Sequence, residues 1–322
     1  MIKINTVSEI TEDTKDMRTY YCEAMCELAD KNPDVVILDA DLMGAMGLKE
    51  FMRKYPENTV NCGIQEANMY GVAAGLSVTG KIPFAHTFSV FTSRRALDQI
   101  YLSCVYAGLN VKVIGSDPGI YAALNGGTHM AFDDLGIFRA IPEIIVIEAT
   151  DGNMITDLIP KISGIYGCVY FRTARRSAPL IYEKNTDFKI GEANILRQSE
   201  TDKAAIIAIG YGVSQALLAA NELAKIGINV TVIDSFTLKP IDRQAVINAA
   251  KSTKNLITVE NHNTKNGLGS AVAEILCDEY PCKLTRLGAD EIFGAVGSRD
   301  YLAKHFNMDK DAITRTVINT LS

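Results

Sequence analysis

Cationic excess is missing from this chain of 322 residues: 38 acidic side chains outnumber 32 basic ones, for a formal net charge of −6. That balance leaves no broad basic footprint for nucleic acid or an anionic membrane. Long apolar runs are missing too. Stretches such as 204–209 stop far short of the ~20 residues that cross a bilayer. The N-terminus carries Glu9, Glu12, Asp13 and Asp16 and lacks the basic-then-apolar order of a secretion signal. The seven cysteines are an odd number and contain no CxxC pair. Cys22 and Cys26 fall one helical turn apart with no third ligand nearby, so ordinary thiols are expected, with no disulfide and no metal site. Repeats and low-complexity tracts are absent. The expectation is a soluble, cytoplasmic protein.

What is present is an ordinary globular balance, 48% hydrophobic and 22% charged, with enough chain for roughly two domains. Short β-branched runs alternate with helix-period segments. Strands are expected at 35–41, 59–64, 82–87, 111–116, 144–148 and 169–172. Helices are expected at 14–30, 66–79, 94–107, 132–139 and 153–163. Continuous apolar strands separated by helices predict a parallel sheet covered on both faces. The stretch 177–190, SAPLIYEKNTDFKI, reads as a connector. A second alternation follows, with strands at 204–209, 229–234, 255–259 and 283–287. The fold class is therefore α/β, with two doubly wound domains at 1–180 and 190–322. The second is the smaller.

Ligands of such sheets bind in loops that leave the carboxyl ends of the strands. Glu66 stands where a strand gives way to a helix rich in small residues, Ala67, Gly71, Ala73, Ala74 and Gly75. A carboxylate there could carry chemistry or could simply complement the helix dipole. Phe88 and Phe91, past the next strand, could wall a flat ring or could be core aromatics. The loop GSDPGIYAALNGGTHM places Gly119, Gly126, Gly127 and His129 after the fourth strand. Arg172 and Arg175 follow the sixth, where they could meet an anion or sit in solvent.

The order of these features resembles the C-terminal section of transketolase, that is, the pyrimidine-binding domain plus the C-terminal domain of a thiamine-diphosphate enzyme. The carriers are DADL at 39–42, YPENTVNCGIQEANMYGVAAGLS at 55–77, PFAHTFSVF and RALDQI within 83–100, NGGTH at 125–129 and VYFRTAR at 169–175. VIDSFTLKPID at 232–242 and NGLGSAVAEIL at 266–276 extend the likeness through the second domain. The resemblance implies that Glu66 shares a proton with the aminopyrimidine ring and so activates the cofactor. It implies that Phe88 and Phe91 wall the pyrimidine, with Arg94 where some members carry a tyrosine. Asp41 and Leu42 match residues beside the thiazolium. His129 matches a histidine at the reacting oxygen of the substrate. Thiamine enzymes hold the diphosphate through Mg²⁺ on a Gly-Asp-Gly motif, which this sequence lacks. The implied arrangement is half an enzyme, paired with an N-terminal transketolase subunit that carries the Mg²⁺, in a two-plus-two assembly.

Departures from the family pattern bear on substrate. A serine near position 45 and a histidine near 117, both close to a sugar phosphate in relatives, read Ala45 and Asp117 here, and a glutamate usual at position 124 is Leu124. Asp117 would repel a phosphate dianion. With His86, Asn125, His129 and Arg172 it completes the expected substrate set. The implied reaction moves a two-carbon ketol unit from a ketose to an aldose. Alternatives are the β subunit of a thiamine-dependent 2-oxoacid dehydrogenase and a noncatalytic α/β binding module.

Overall fold

The computed structural model describes residues 6–322. Two sheets carry the chain. The first contains β1 (Val35–Asp39), β2 (Thr59–Asn61), β3 (Ile82–Phe88), β4 (Lys112–Ser116), β5 (Ile145–Glu148) and β6 (Val169–Thr173). The second contains β7 (Asn194–Arg197), β8 (Ala204–Ala208), β9 (Val230–Asp234), β11 (Asn255–Asn263) and β12 (Lys283–Ala289). Between β9 and β11 the chain crosses back, and β10 (Thr237–Lys239) pairs antiparallel with β5 at the edge of the first sheet. The orders are β10-β5-β6-β4-β3-β1-β2 and β12-β11-β8-β9-β7. Within the first sheet every other pairing is parallel. The expected α/β class with two mostly parallel sheets is what the chain adopts.

The strands were readable because both faces are covered. All five residues of β1, VVILD, are buried, as are all five of β4 and of β6. From β1 the chain passes to β2 on one side and to β3 on the other, so their following loops diverge at the carboxyl edge. Such a divergence opens a crevice. Among the described residues no helix is long and apolar enough to cross a membrane. All seven cysteines are free thiols.

Some expectations need correcting. The stretch 177–190 is no loose connector, since Ile181, Tyr182 and Phe188 are buried. Pro179 and Tyr182 form bridges to Glu12 and Thr6. The helix Glu66–Val78 buries Ala73 and Ala74, whereas Gly71 and Gly75 face open space within this chain.

The largest correction concerns Arg172, expected at a substrate anion. Its side chain is fully buried on β6. Its Nε and Nη2 donate to Asp134 at 2.7 and 2.9 Å, and Nη1 donates to Glu148 at 2.7 Å. Nη2 also reaches the carbonyl of Asn261 in the second domain at 2.9 Å. All three guanidinium nitrogens are engaged, so none is left for a ligand. Burial pushes the Glu148 carboxyl up, and Arg172 pulls it back down. Asn261 extends the junction: its Oδ1 accepts from the Ile120 amide at 2.9 Å and its Nδ2 donates to the Pro118 carbonyl at 3.0 Å.

Beside this network, Asp234 accepts from the Tyr182 and Thr150 hydroxyls at 2.6 and 2.7 Å. Burial pushes its carboxyl up to about 7.

Two predictions follow from the junction. Arg172→Leu strands two buried carboxylates and should lower unfolding stability by about 3–5 kcal/mol in denaturant titrations. Asp234 is protonated more readily in the folded chain than in the unfolded one, where a carboxyl titrates near ~4. Its contribution is therefore complete below that value and is lost as pH rises through about 7. Asp234→Asn should flatten the fall in stability between about pH 4 and 7; an unchanged slope would contradict the assignment.

Candidate active site

Glu66 is the first residue of its helix, and its side chain is only 1% exposed. The crevice places it there because β2 ends at Asn61 and a short turn, 62–65, delivers the helix N-terminus to the carboxyl edge. Its two carboxylate oxygens accept from Arg95 Nη1 at 2.8 and 2.9 Å. The Arg95 side chain is 47% exposed, so the pair joins a buried acid to a base at the surface. The same guanidinium lies over the Phe91 ring, 4.1 Å from its centroid.

Arg95 was not singled out in the sequence, where Arg94 was. The correction is one residue. Arg94 forks instead onto Asp133, with Nε at 2.8 Å and Nη2 at 3.1 Å, on the rim of the site. Arg94 ends the short helix Ser89–Arg94 and Arg95 is the residue just after it, before the next short helix at Leu97–Gln99. No periodicity in the sequence distinguishes their directions.

The aromatic wall does assemble. Phe88 and Phe91 lie 5.9 Å apart by ring centroid. His129 presents its edge to both, at 6.2 and 5.5 Å. The His129 Nδ1 sits 2.9 Å from the Thr128 hydroxyl. The second domain helps to fix this loop. A Cβ added at Gly127 would meet the Gly294 carbonyl at 2.5 Å, so only glycine allows that approach. Asn125 is exposed on the same loop and makes no side-chain hydrogen bond.

Asp41 and Leu42 sit in a turn after β1 that is held from two sides. Asp41 has φ 64°, its amide donates to Asn61 Oδ1 at 3.2 Å, and its carboxylate accepts from Asn61 Nδ2 at 3.2 Å. The Leu42 amide donates to the buried Asp39 carboxylate. That carboxylate also faces His86, whose Nδ1 lies 3.2 Å from Asp39 Oδ2. His86 was expected at a substrate, and this too is corrected. It lies wholly within the sheet and stacks on Tyr21 at 5.7 Å. It acts on the turn through Asp39.

Asp117 follows β4 and is nearly buried. It pairs with Arg175, whose backbone amide donates to Asp117 Oδ1 at 3.2 Å. Burial pushes the Asp117 carboxyl up, and the Arg175 charge and amide pull against that rise. The Arg175 guanidinium stacks 4.7 Å over Phe88, so it lies one ring away from His129.

The arrangement thus offers a buried carboxylate, two ring faces and an imidazole edge around one crevice, with a paired arginine at its far side. Chemically it suits a flat heterocycle that donates N–H to Glu66 and stacks on Phe91, next to a reacting oxygen within reach of His129. Among the described residues no group of three or more His, Cys, Asp or Glu is placed to hold a metal ion.

Comparison with known proteins agrees in both domains. Residues 13–179 match the model for the transketolase pyrimidine binding domain, and residues 191–313 match that for the transketolase C-terminal domain. The 6-deoxy-6-sulfo-D-fructose transketolase subunit SqwH of Clostridium sp. (strain MSTE9) is 44% identical over 97% of this chain and 96% of its own. Human transketolase is 32% identical over 93% of this chain, which spans 48% of the human protein. A solved structure described as a split gene transketolase, an inactive beta4 tetramer, superposes with TM-score 0.87 at 35% identity, covering 95% of this chain and 98% of that one.

The geometry predicts a contrast between neighbouring arginines. Arg95→Ala leaves the buried Glu66 carboxylate without its partner and should lower the stability of the chain by about 1–3 kcal/mol. Arg94→Ala breaks a rim pair and should cost about 0–1 kcal/mol. Thermal unfolding of the two variants side by side checks the ranking.

Proposed function

Because the chain belongs to the transketolase family, we propose that it is one subunit of a two-chain, thiamine-diphosphate-dependent transketolase that moves a two-carbon ketol unit from a ketose to an aldose. The observation that carries this reading is the contact made by Arg95. A flat, N–H-bearing group already lies on Phe91 and donates to the buried Glu66. Those are the two contacts an aminopyrimidine ring would need, and Arg95, half exposed, is free to give way. The residues present therefore fit the pyrimidine half of the cofactor.

Thiamine diphosphate, when bound, supplies an electron sink for the carbon–carbon bond that is broken and remade. The chain's own residues do the rest. Glu66 holds and returns a proton at the pyrimidine ring nitrogen, in a site dry enough for that proton to be shared. Phe88 and Phe91 grip the ring and exclude water. Leu42, on its doubly held turn, presses from the β1 side beside Asp41. His129 handles a proton at the oxygen of the reacting carbon. The diphosphate and its Mg²⁺ fall to a partner chain, the N-terminal transketolase subunit, in an assembly of two plus two. That the chain spans 48% of human transketolase supports this division.

For substrate we propose a sulfonated ketose. The support is the SqwH relative, which acts on 6-deoxy-6-sulfo-D-fructose by its name and shares 44% of residues over nearly the full length of both chains.

The test is to assemble the chain with its partner, supply thiamine diphosphate and Mg²⁺, and assay a panel of ketose donors and aldehyde acceptors. The assembled pair should transfer the ketol unit, and this subunit alone should not. Glu66→Ala should lower turnover by about 10²–10⁴-fold while the assembled pair keeps its cooperative unfolding. Full turnover in that variant would contradict the role given to Glu66.

A further inference from the structure

We propose that Asp117 sets which anionic sugars are accepted, by placing a nearly buried carboxylate against Arg175 at the crevice. The inference rests on the ketol-transfer reading above and adds to it the residue that discriminates between substrates.

Arg175 belongs to a compact group of charges. Its backbone carbonyl accepts from the Arg18 amide at 3.2 Å, and the Arg176 carbonyl accepts from the Met17 amide at 3.4 Å, so the start of the helix Met17–Lys31 is stitched to the segment after β6. The Arg18 guanidinium pairs with Asp16 at 2.9 Å and donates through Nη1 to the Ala45 carbonyl at 3.0 Å. Arg176 lies 4.0 Å from the same Asp16. Asp117 pairs with Arg175. At the crevice itself the Arg175 charge over Phe88 is balanced by the nearly buried Asp117, while Arg18 and Arg176 share Asp16.

A sugar phosphate carries about −1.5 to −2 at neutral pH. A sulfonate has a similar tetrahedral shape and carries a single negative charge. The nearly buried Asp117 repels the more highly charged phosphate more strongly than the singly charged sulfonate. In that poorly solvated setting the repulsion is weakly screened. Arg175 offsets only part of it, because its charge is already balanced by Asp117. The discrimination is thus built by adding a carboxylate, a repulsive element aimed at the wrong ligand.

The experiment measures, for the assembled pair, kcat/KM with 6-deoxy-6-sulfofructose, with fructose 6-phosphate and with the uncharged donor L-erythrulose. The wild-type pair should favour the sulfonate over the phosphate. Asp117→Asn raises the net charge by one without changing side-chain size. It should raise the phosphate-to-sulfonate ratio by about tenfold, carried by KM. Arg176→Gln, at an exposed position, lowers the charge by one and should reduce the ratio further below the wild-type value, which keeps the test decisive should Asp117→Asn misfold. A ratio that stays within about twofold of wild type in a folded variant overturns the assignment of Asp117 while leaving ketol transfer in place. Wild-type use of phosphate equal to sulfonate does the same. Absence of transfer from all three donors in the wild-type pair overturns the ketol-transfer reading, and this inference with it.

Discussion

A carboxylate with almost no access to water must have a partner, and at Glu66 that partner is a half-exposed arginine. This constraint organises the crevice. Leaving a buried acid unpaired is costly, so Glu66 needs a hydrogen-bond donor against it. Arg95 meets the requirement in this chain, and it can withdraw because its own charge is only partly desolvated. Phe91 provides the ring face over which its guanidinium lies.

The second domain holds that crevice in shape. Asn261 on β11 bonds both the Pro118 carbonyl and the Ile120 amide, at the root of the loop that carries His129. Gly294 packs against Gly127 at its tip. Beneath the loop, Arg172 ties Asp134 and Glu148 to the Asn261 carbonyl. This cluster of buried charge thus serves the junction. It is chemically inert toward ligands because every nitrogen of the guanidinium is spent. Glu66 and His129, the proposed catalytic groups, lie in the segments that follow strands of the same sheet.

Much of the fold was legible because its strands are apolar on both faces and its helices are not. β10 was missed: three residues are too few to show a period, and its pairing depends on a strand distant in sequence. The 177–190 stretch misled for a related reason, since its polar residues hide Tyr182 and Phe188, which are core side chains. At the site, Glu66, Phe91 and His129 could be singled out because each lies beyond a strand end, and Phe88 because it closes β3. Arg172 and His86 were misread because they are the last or next-to-last inward residues of their strands. One step of alternation separates a buried side chain from one at the crevice. Arg175, three residues past Arg172 and beyond the end of β6, is the one that reaches the aromatic wall.

The account predicts what a crystal structure of the assembled two-chain protein with thiamine diphosphate will contain. The Glu66 carboxylate should lie within hydrogen-bond distance of a pyrimidine ring nitrogen, with Phe91 stacked on that ring and Arg95 turned out toward solvent. Arg95 still seated on Glu66, with the cofactor bound elsewhere, would contradict it.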